Sequence, residues 1–180
     1  MDQKLMSLHI GCGRDYRPGM INVDINPNVK ADIYQDICDF ENYPLKSKDG
    51  KYEVGFGEVD LIEANHVLEH IPDLIVFMTA ARDLLKVGGV FKISVPYDLS
   101  YGAWQDPTHV RAFNERSWIY YCDWAWYLNW TGSAFRIVNM TLDLSDLGRR
   151  KKEEGIPVDD IVLIPRAVDQ MKVELEKVII

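Results

Sequence analysis

Apolar residues in the first hundred positions gather in short runs divided by turn residues, with one stretch of helical spacing among them. The runs predict strands over Leu5–Ile10, Met20–Ile25, Ile33–Tyr34, Val59–Ala64 and Val90–Val95, each apolar enough for the interior of a sheet. The helical stretch opens at Pro72-Asp73 and sets Leu74, Phe77, Met78, Ala81 and Leu85 on one stripe. Gly88-Gly89 stops it, so Leu85 to Gly89 reads as helix end and turn into the fifth strand. Residues 97–116 read as a long loop. An aromatic segment follows, where four of the five tryptophans (Trp118, Trp124, Trp126, Trp130) fall within thirteen residues beside Tyr120, Tyr121 and Tyr127. Such a run is more often core and subunit contact than a lid over a ligand, given the area aromatics bury. Beyond it, Phe135–Leu144 and Met171–Ile179 alternate as strands do, with a charged piece, Arg149 to Glu154, between them. These two are expected to pair antiparallel at the sheet edge.

Strands interleaved with a helix predict an α/β sheet. Two links are unusually short. Gly11 to Gly19 gives nine residues between the first two strands and Asn26 to Asp32 gives seven, where a parallel crossover takes about a dozen or more. Helices between the first strands must be reduced or absent. One sheet face is then thinly covered, and the aromatic segment or a second copy of the chain, a homodimer, is available to cover it.

With 180 residues at 47% hydrophobic composition, the chain can bury a core without disulfides or metals and reads as a single domain, 1–180. Twenty Lys and Arg against 28 Asp and Glu leave a formal charge of -8, which disfavours broad nucleic-acid binding. The longest stretch free of charged residues is twelve, Trp124 to Phe135, where a membrane-spanning helix needs about 20 apolar ones. No membrane association is expected. Met1 to Ile10 lacks the features of a signal peptide. Cys12, Cys38 and Cys122 are odd in number and form no CxxC pair, which suits reduced thiols and a cytoplasmic location.

His9-Ile10-Gly11-Cys12-Gly13 follows a strand, where glycines admit a ligand close to the backbone. Asp24, with Ile25 after it, ends the next strand, where an acid can accept hydrogen bonds from both hydroxyls of a ribose. A dinucleotide loop would need a third glycine, and that position is Tyr16. S-adenosylmethionine has no phosphate to seat on a helix N-terminus, so the pattern favours it over a nicotinamide dinucleotide.

Taken in order, Leu8 to Gly13, Pro18 to Asp24, Ala31-Asp32 to Asp36, His66-Val67-Leu68-Glu69-His70-Ile71, Leu84 to Gly89 and Ile93 to Pro96 resemble the class I S-adenosylmethionine-dependent methyltransferases. The likeness is greatest to small bacterial and phage members and covers residues 5 to 116. It implies a Rossmann-like, mostly parallel sheet with residues 1–96 as cofactor-binding core, and acceptor-side loops and helices in 97–134 and 145–170. It places Gly11, Cys12 and Gly13 beside the methionine part of the cofactor, Asp24 on the ribose, Asp36 and Ile37 on the adenine, and Asn65 and His66 under the sulfonium. One departure is His9, where the family usually carries an acid.

On a helix, His66, Glu69 and His70 would share a face, a spacing suited to metal. A few methyltransferase families similar to this one complete such a site with a distant histidine, a part the resemblance gives to His109. The expectation adopted is no metal, because Leu-Glu-His is common in the wider family where none is bound. His109, in the loop after the fifth strand, is instead the candidate catalytic base. Related enzymes that methylate exocyclic amines carry N/D-P-P-Y where this chain has Glu63-Ala64-Asn65-His66. A small-molecule or sugar oxygen is therefore the expected acceptor. A non-catalytic cofactor-binding module and a nicotinamide oxidoreductase are the competing readings.

Overall fold

A computed structural model describes residues 5–180. Residues 1–4, where the stretch lacking signal-peptide features begins, lie outside the described residues. Strands β1 (Ser7–Ile10), β2 (Ile21–Val23), β5 (Val59–Asn65), β6 (Leu85–Pro96), β7 (Ser133–Leu144) and β8 (Val168–Ile179) form one sheet in the order β2-β1-β5-β6-β8-β7. The first four are mutually parallel, while β8 runs antiparallel to both β6 and β7. This is the expected Rossmann-like sheet with an antiparallel C-terminal hairpin. The expected strand at Ile33–Tyr34 shrinks to a single bridge between Ile33 and Val23. A separate two-stranded hairpin, β3 (Leu45–Lys46) with β4 (Glu53–Val54), was not predicted, since two-residue strands are too short to show a period.

Helix α1 (Leu74–Leu84) begins where expected, with Asp73 Oδ1 accepting from the Val76 amide at 3.0 Å. Its end is different. Leu85 already belongs to β6 and pairs with Val59, and Val90 pairs with Leu61, so Lys86 to Gly89 bulge out opposite one residue. Gly88, at φ 82°, supplies the left-handed position in that bulge. The two glycines thus kink a strand already under way instead of ending a helix.

One face of the sheet is apolar. Leu8, Ile62, Phe91, Val173 and Leu175 lie on it, all nearly inaccessible to solvent. Helix α1 and the aromatic segment cover it together. Phe77 on α1 stands 6.4 Å from Phe91, Phe91 stands 6.5 Å from Phe135, and Trp130 stands 6.0 Å from Phe135. Trp130 Nε1 donates to Thr79 Oγ1 at 3.1 Å, and the Arg82 guanidinium sits 4.2 Å over its ring. The segment therefore packs as core through Trp118, Tyr121 and Trp130, held in 3-10 turns at Glu115–Tyr121 and Ala125–Leu128. Trp124, Trp126, Tyr120 and Tyr127 stay exposed and stack edgewise on one another.

The alternate positions of the same strands are polar. They include His9, Asn22, Glu63, Lys92, Ser94, Lys172, Glu174 and Glu176. Lys92 pairs with Glu174 at 3.6 Å, Arg136 with Glu176 at 2.6 Å and Lys172 with Asp143 at 2.6 Å. A face built this way tolerates water, so the short early crossovers leave little apolar surface in need of helices. Among the described residues no helix is long and apolar enough to cross a membrane.

Candidate functional site

At the carboxyl end of β1 the chain turns through Gly11, whose φ is 64° and whose amide donates to Val23 O at 2.8 Å. A Cβ there would lie 2.5 Å from Val67 Cγ2, so only glycine lets the two segments approach. The Gly13 amide donates to Asp24 Oδ2 at 2.7 Å, and Asn26 donates to Asp24 Oδ1 at 2.8 Å. These bonds fix the carboxylate at the strand end while leaving it acceptor capacity. Asp36, after the Ile33 bridge, is oriented the same way by the Cys38 amide at 2.8 Å.

These elements enclose a cavity of about 520 Å³, within the usual size of small-molecule pockets. Of the sequence-derived cofactor residues, Gly11, Asp24, Ile25, Asp36, Ile37 and His66 line it. Cys12, Gly13 and Asn65 do not. Cys12 turns into the core, with Sγ 3.5 Å from Lys30 O and its pKa pushed up to about 11 by burial. Gly13 instead braces Asp24, and Asn65 Nδ2 is buried without a hydrogen-bond partner. Sequence reasoning missed the opposite wall, made by Val67, Ile71, Asp73, Val76 and Phe77. Its signal was the helix start at Pro72-Asp73, which comes a few residues after the end of β5, at the ligand-binding edge of an open α/β sheet. Cys38 also lines the cavity, and burial pushes its thiol up to about 12, so it stays protonated.

His9 takes no part in this cavity. Its ring sits on the polar face, Nδ1 3.3 Å from Asn22 Oδ1, and burial together with Arg17 lowers its pKa below the ordinary value. It is a neutral, structural histidine.

Past the end of β5, His66 adopts a left-handed backbone with φ 53°, an uncommon state for a residue with a side chain. The expected helical face of His66, Glu69 and His70 therefore does not form. Only a 3-10 turn, Leu68–His70, follows. It nevertheless brings Glu69 and His70 together with His109 from the long loop, one donor atom of each lying within 4.8 Å of the others. Contact with the Glu69 carboxylate, 3.3 Å from Nδ1, holds the His66 imidazole above the ordinary value despite burial.

Beyond this group lies a second cavity of about 760 Å³, lined by Glu69, Asp106, His109, Asp143, Arg149 and Gln170 among others. His66 and His70 belong to the walls of both cavities. The His109 ring is held by Nδ1 donating to Ala103 O at 3.0 Å, since a carbonyl only accepts, and this leaves Nε2 with its lone pair.

A strand-end crevice with a glycine turn, two oriented carboxylates and an adjoining polar cavity is the arrangement of a nucleoside-cofactor transferase. A sequence family described as a methyltransferase domain matches residues 6–137, and the chain belongs to it. It is an S-adenosylmethionine-dependent methyltransferase. Among solved structures, an S-adenosylmethionine-dependent methyltransferase from Archaeoglobus fulgidus is similar in fold, with TM-score 0.60, 15% identity, and 96% of this chain and 86% of that one covered. One from Mesorhizobium loti gives TM-score 0.57 at 11% identity, covering 96% and 90%. Phosphoethanolamine N-methyltransferase 2 of Haemonchus contortus, in complex with S-adenosyl-L-methionine, gives TM-score 0.52 at 13% identity, covering 98% of this chain and 49% of that one. No curated protein sequence matches the chain. The residues present fit the cofactor: Gly11 lines the cavity without a side chain of its own, and Asp24 and Asp36 stand in the wall for its polar groups.

Proposed function

We propose that the chain transfers the methyl group to an oxygen of a small-molecule acceptor seated in the 760 Å³ cavity. The observation that supports this reading is the shared wall: His66 and His70 border both cavities, so a donor in one and an acceptor in the other meet across these two side chains. When bound, the cofactor would supply an electrophilic methyl on a sulfonium. Asp24 would accept from the ribose hydroxyls, Asp36 and Ile37 would hold the adenine, and His66 would stand at the sulfonium end. His109 activates the acceptor oxygen from Nε2. Orientation of this kind is worth about 7–11 kcal/mol, so few catalytic groups are needed.

The acceptor side draws on residues 97–134 and 145–170 through Gln105, Asp106, His109 and Arg149. A small acceptor is in keeping with a second structure of the Haemonchus enzyme, which holds phosphomonomethylethanolamine (TM-score 0.53, 11% identity, 98% of this chain and 50% of that one). The experiment is transfer from methyl-labelled cofactor to panels of hydroxyl, amine and thiol compounds. O-methylated product is expected, and product methylated only on nitrogen or sulfur would refute the oxygen reading. His109→Ala should lower kcat about a hundredfold or more, the usual worth of a positioned acid–base group, without weakening S-adenosylhomocysteine binding. Undiminished turnover would remove His109 from the site.

A further inference from the structure

Glu69 has a buried carboxylate, 1% exposed, and neither of its oxygens has a hydrogen-bond partner. His66 Nδ1 comes within 3.3 Å of Oε1 without the alignment of a hydrogen bond. A buried carboxylate left this way is costly, and such groups in folded proteins usually face something that satisfies them. Two imidazoles stand beside it, and each is held through Nδ1. His109 Nδ1 donates to Ala103 O. Thr108 Oγ1 donates to Asp106 Oδ1 at 2.7 Å and accepts from His70 Nδ1 at 2.9 Å, so His70 also carries its proton away from the cluster. Both rings therefore offer a bare Nε2. One donor atom of each residue lies within 4.8 Å of the others, so a carboxylate and two imidazoles form a three-donor set. That combination calls for a cation.

We propose that Glu69, His70 and His109 bind one divalent transition-metal ion at the wall between the two cavities. The donor atoms lie within 4.8 Å of one another, while bonds of about 2.0–2.2 Å bring tetrahedral ligands to roughly 3.3–3.6 Å apart. Small side-chain rotations close that gap. Two histidines and one carboxylate suit zinc or ferrous iron and leave coordination positions open. All three residues line the acceptor cavity, so the open positions are available to an acceptor oxygen. The Asp106–Thr108–His70 chain and the Ala103 carbonyl are the supports that commonly fix the tautomer of metal-binding histidines. The Val110 amide, donating to Glu69 O at 2.9 Å, ties the loop bearing His109 to the turn bearing the other two.

The ion's part in transfer rests on the function proposed above, where it gives His109 a ligand's role in place of a direct base. Its binding does not rest on that reading and is measured without turnover. Cobalt(II), whose visible absorption reports its coordination, is titrated into the metal-stripped full chain, and zinc is then added to displace it. One cobalt per chain with tetrahedral or five-coordinate absorption is expected. Glu69→Gln and His109→Ala should each weaken binding at least tenfold, and Thr108→Val, which frees the His70 ring, about 10–100-fold. S-adenosylhomocysteine binding by each variant shows that it is folded. A folded parent that takes up no stoichiometric cobalt or zinc, or a His109→Ala variant that binds them as the parent does, overturns the proposal. Chelator-resistant turnover by metal-free enzyme would overturn the ion's role and leave methyl transfer standing. Metal binding with no turnover would do the reverse.

Discussion

At Gly11 and His66 the backbone enters the left-handed region on two neighbouring loops, and the cofactor cavity lies against both. Gly11→Ala forces a Cβ against Val67 and a conformation that is unfavourable by about 1–2 kcal/mol for an L side chain. A drop in stability of that order, with cofactor affinity lowered tenfold or more, is expected from chemical denaturation and calorimetry. His9 gives a pH prediction. Its folded pKa is lowered by burial, so below about pH 6.5 the unfolded chain takes up a proton that the folded chain refuses. His9 therefore contributes stability above that pH, and the contribution fades as pH falls toward the folded value. Melting scans between pH 7.5 and about 5.5 should show a shallower decline for His9→Gln than for the parent. Gly11 and Asp24 were legible in the sequence because strand-end turns and acids leave a local signature, and Asp36 came through the family resemblance. The grouping of Glu69 and His70 with His109 was offered only by the family resemblance, because it depends on a loop forty residues away folding back over a 3-10 turn.

The elements themselves read well where a period is long enough to show. Helix α1 and the β7–β8 hairpin follow their patterns, whereas the β3–β4 hairpin and the bulge at Lys86 to Gly89 rest on backbone pairing that single residues do not announce. The aromatic segment illustrates a second limit. Its composition signals burial but not which face it covers, and Trp130 settles that only through its contacts with Thr79, Arg82 and Phe135. Trp130→Ala should destabilise the fold by about 3–5 kcal/mol, the range for large aromatic truncations. Since Trp130 lines neither cavity, the folded fraction should keep its affinity for S-adenosylhomocysteine, and denaturation curves with and without ligand test both statements.

At the scale of the molecule, one well-packed apolar face and one charged face explain how 180 residues hold this sheet with shortened early crossovers. The pairs on the charged face are exposed, so their worth is small. Exchanging Lys92 and Glu174 should alter stability by less than about 1 kcal/mol and leave turnover unchanged. The same architecture brings Gly11, Asp24, His66, His70 and His109 to the carboxyl ends of β1, β2 and β5 and to the loop after β6, where two cavities share His66 and His70. Their use by donor and acceptor begins with the cofactor, and calorimetric titration with S-adenosylhomocysteine tests that directly. The account predicts one site per chain, with affinity reduced tenfold or more in an Asp24→Asn variant of unchanged melting temperature. A folded parent that does not bind, or an Asp24→Asn variant that binds equally well, would contradict it.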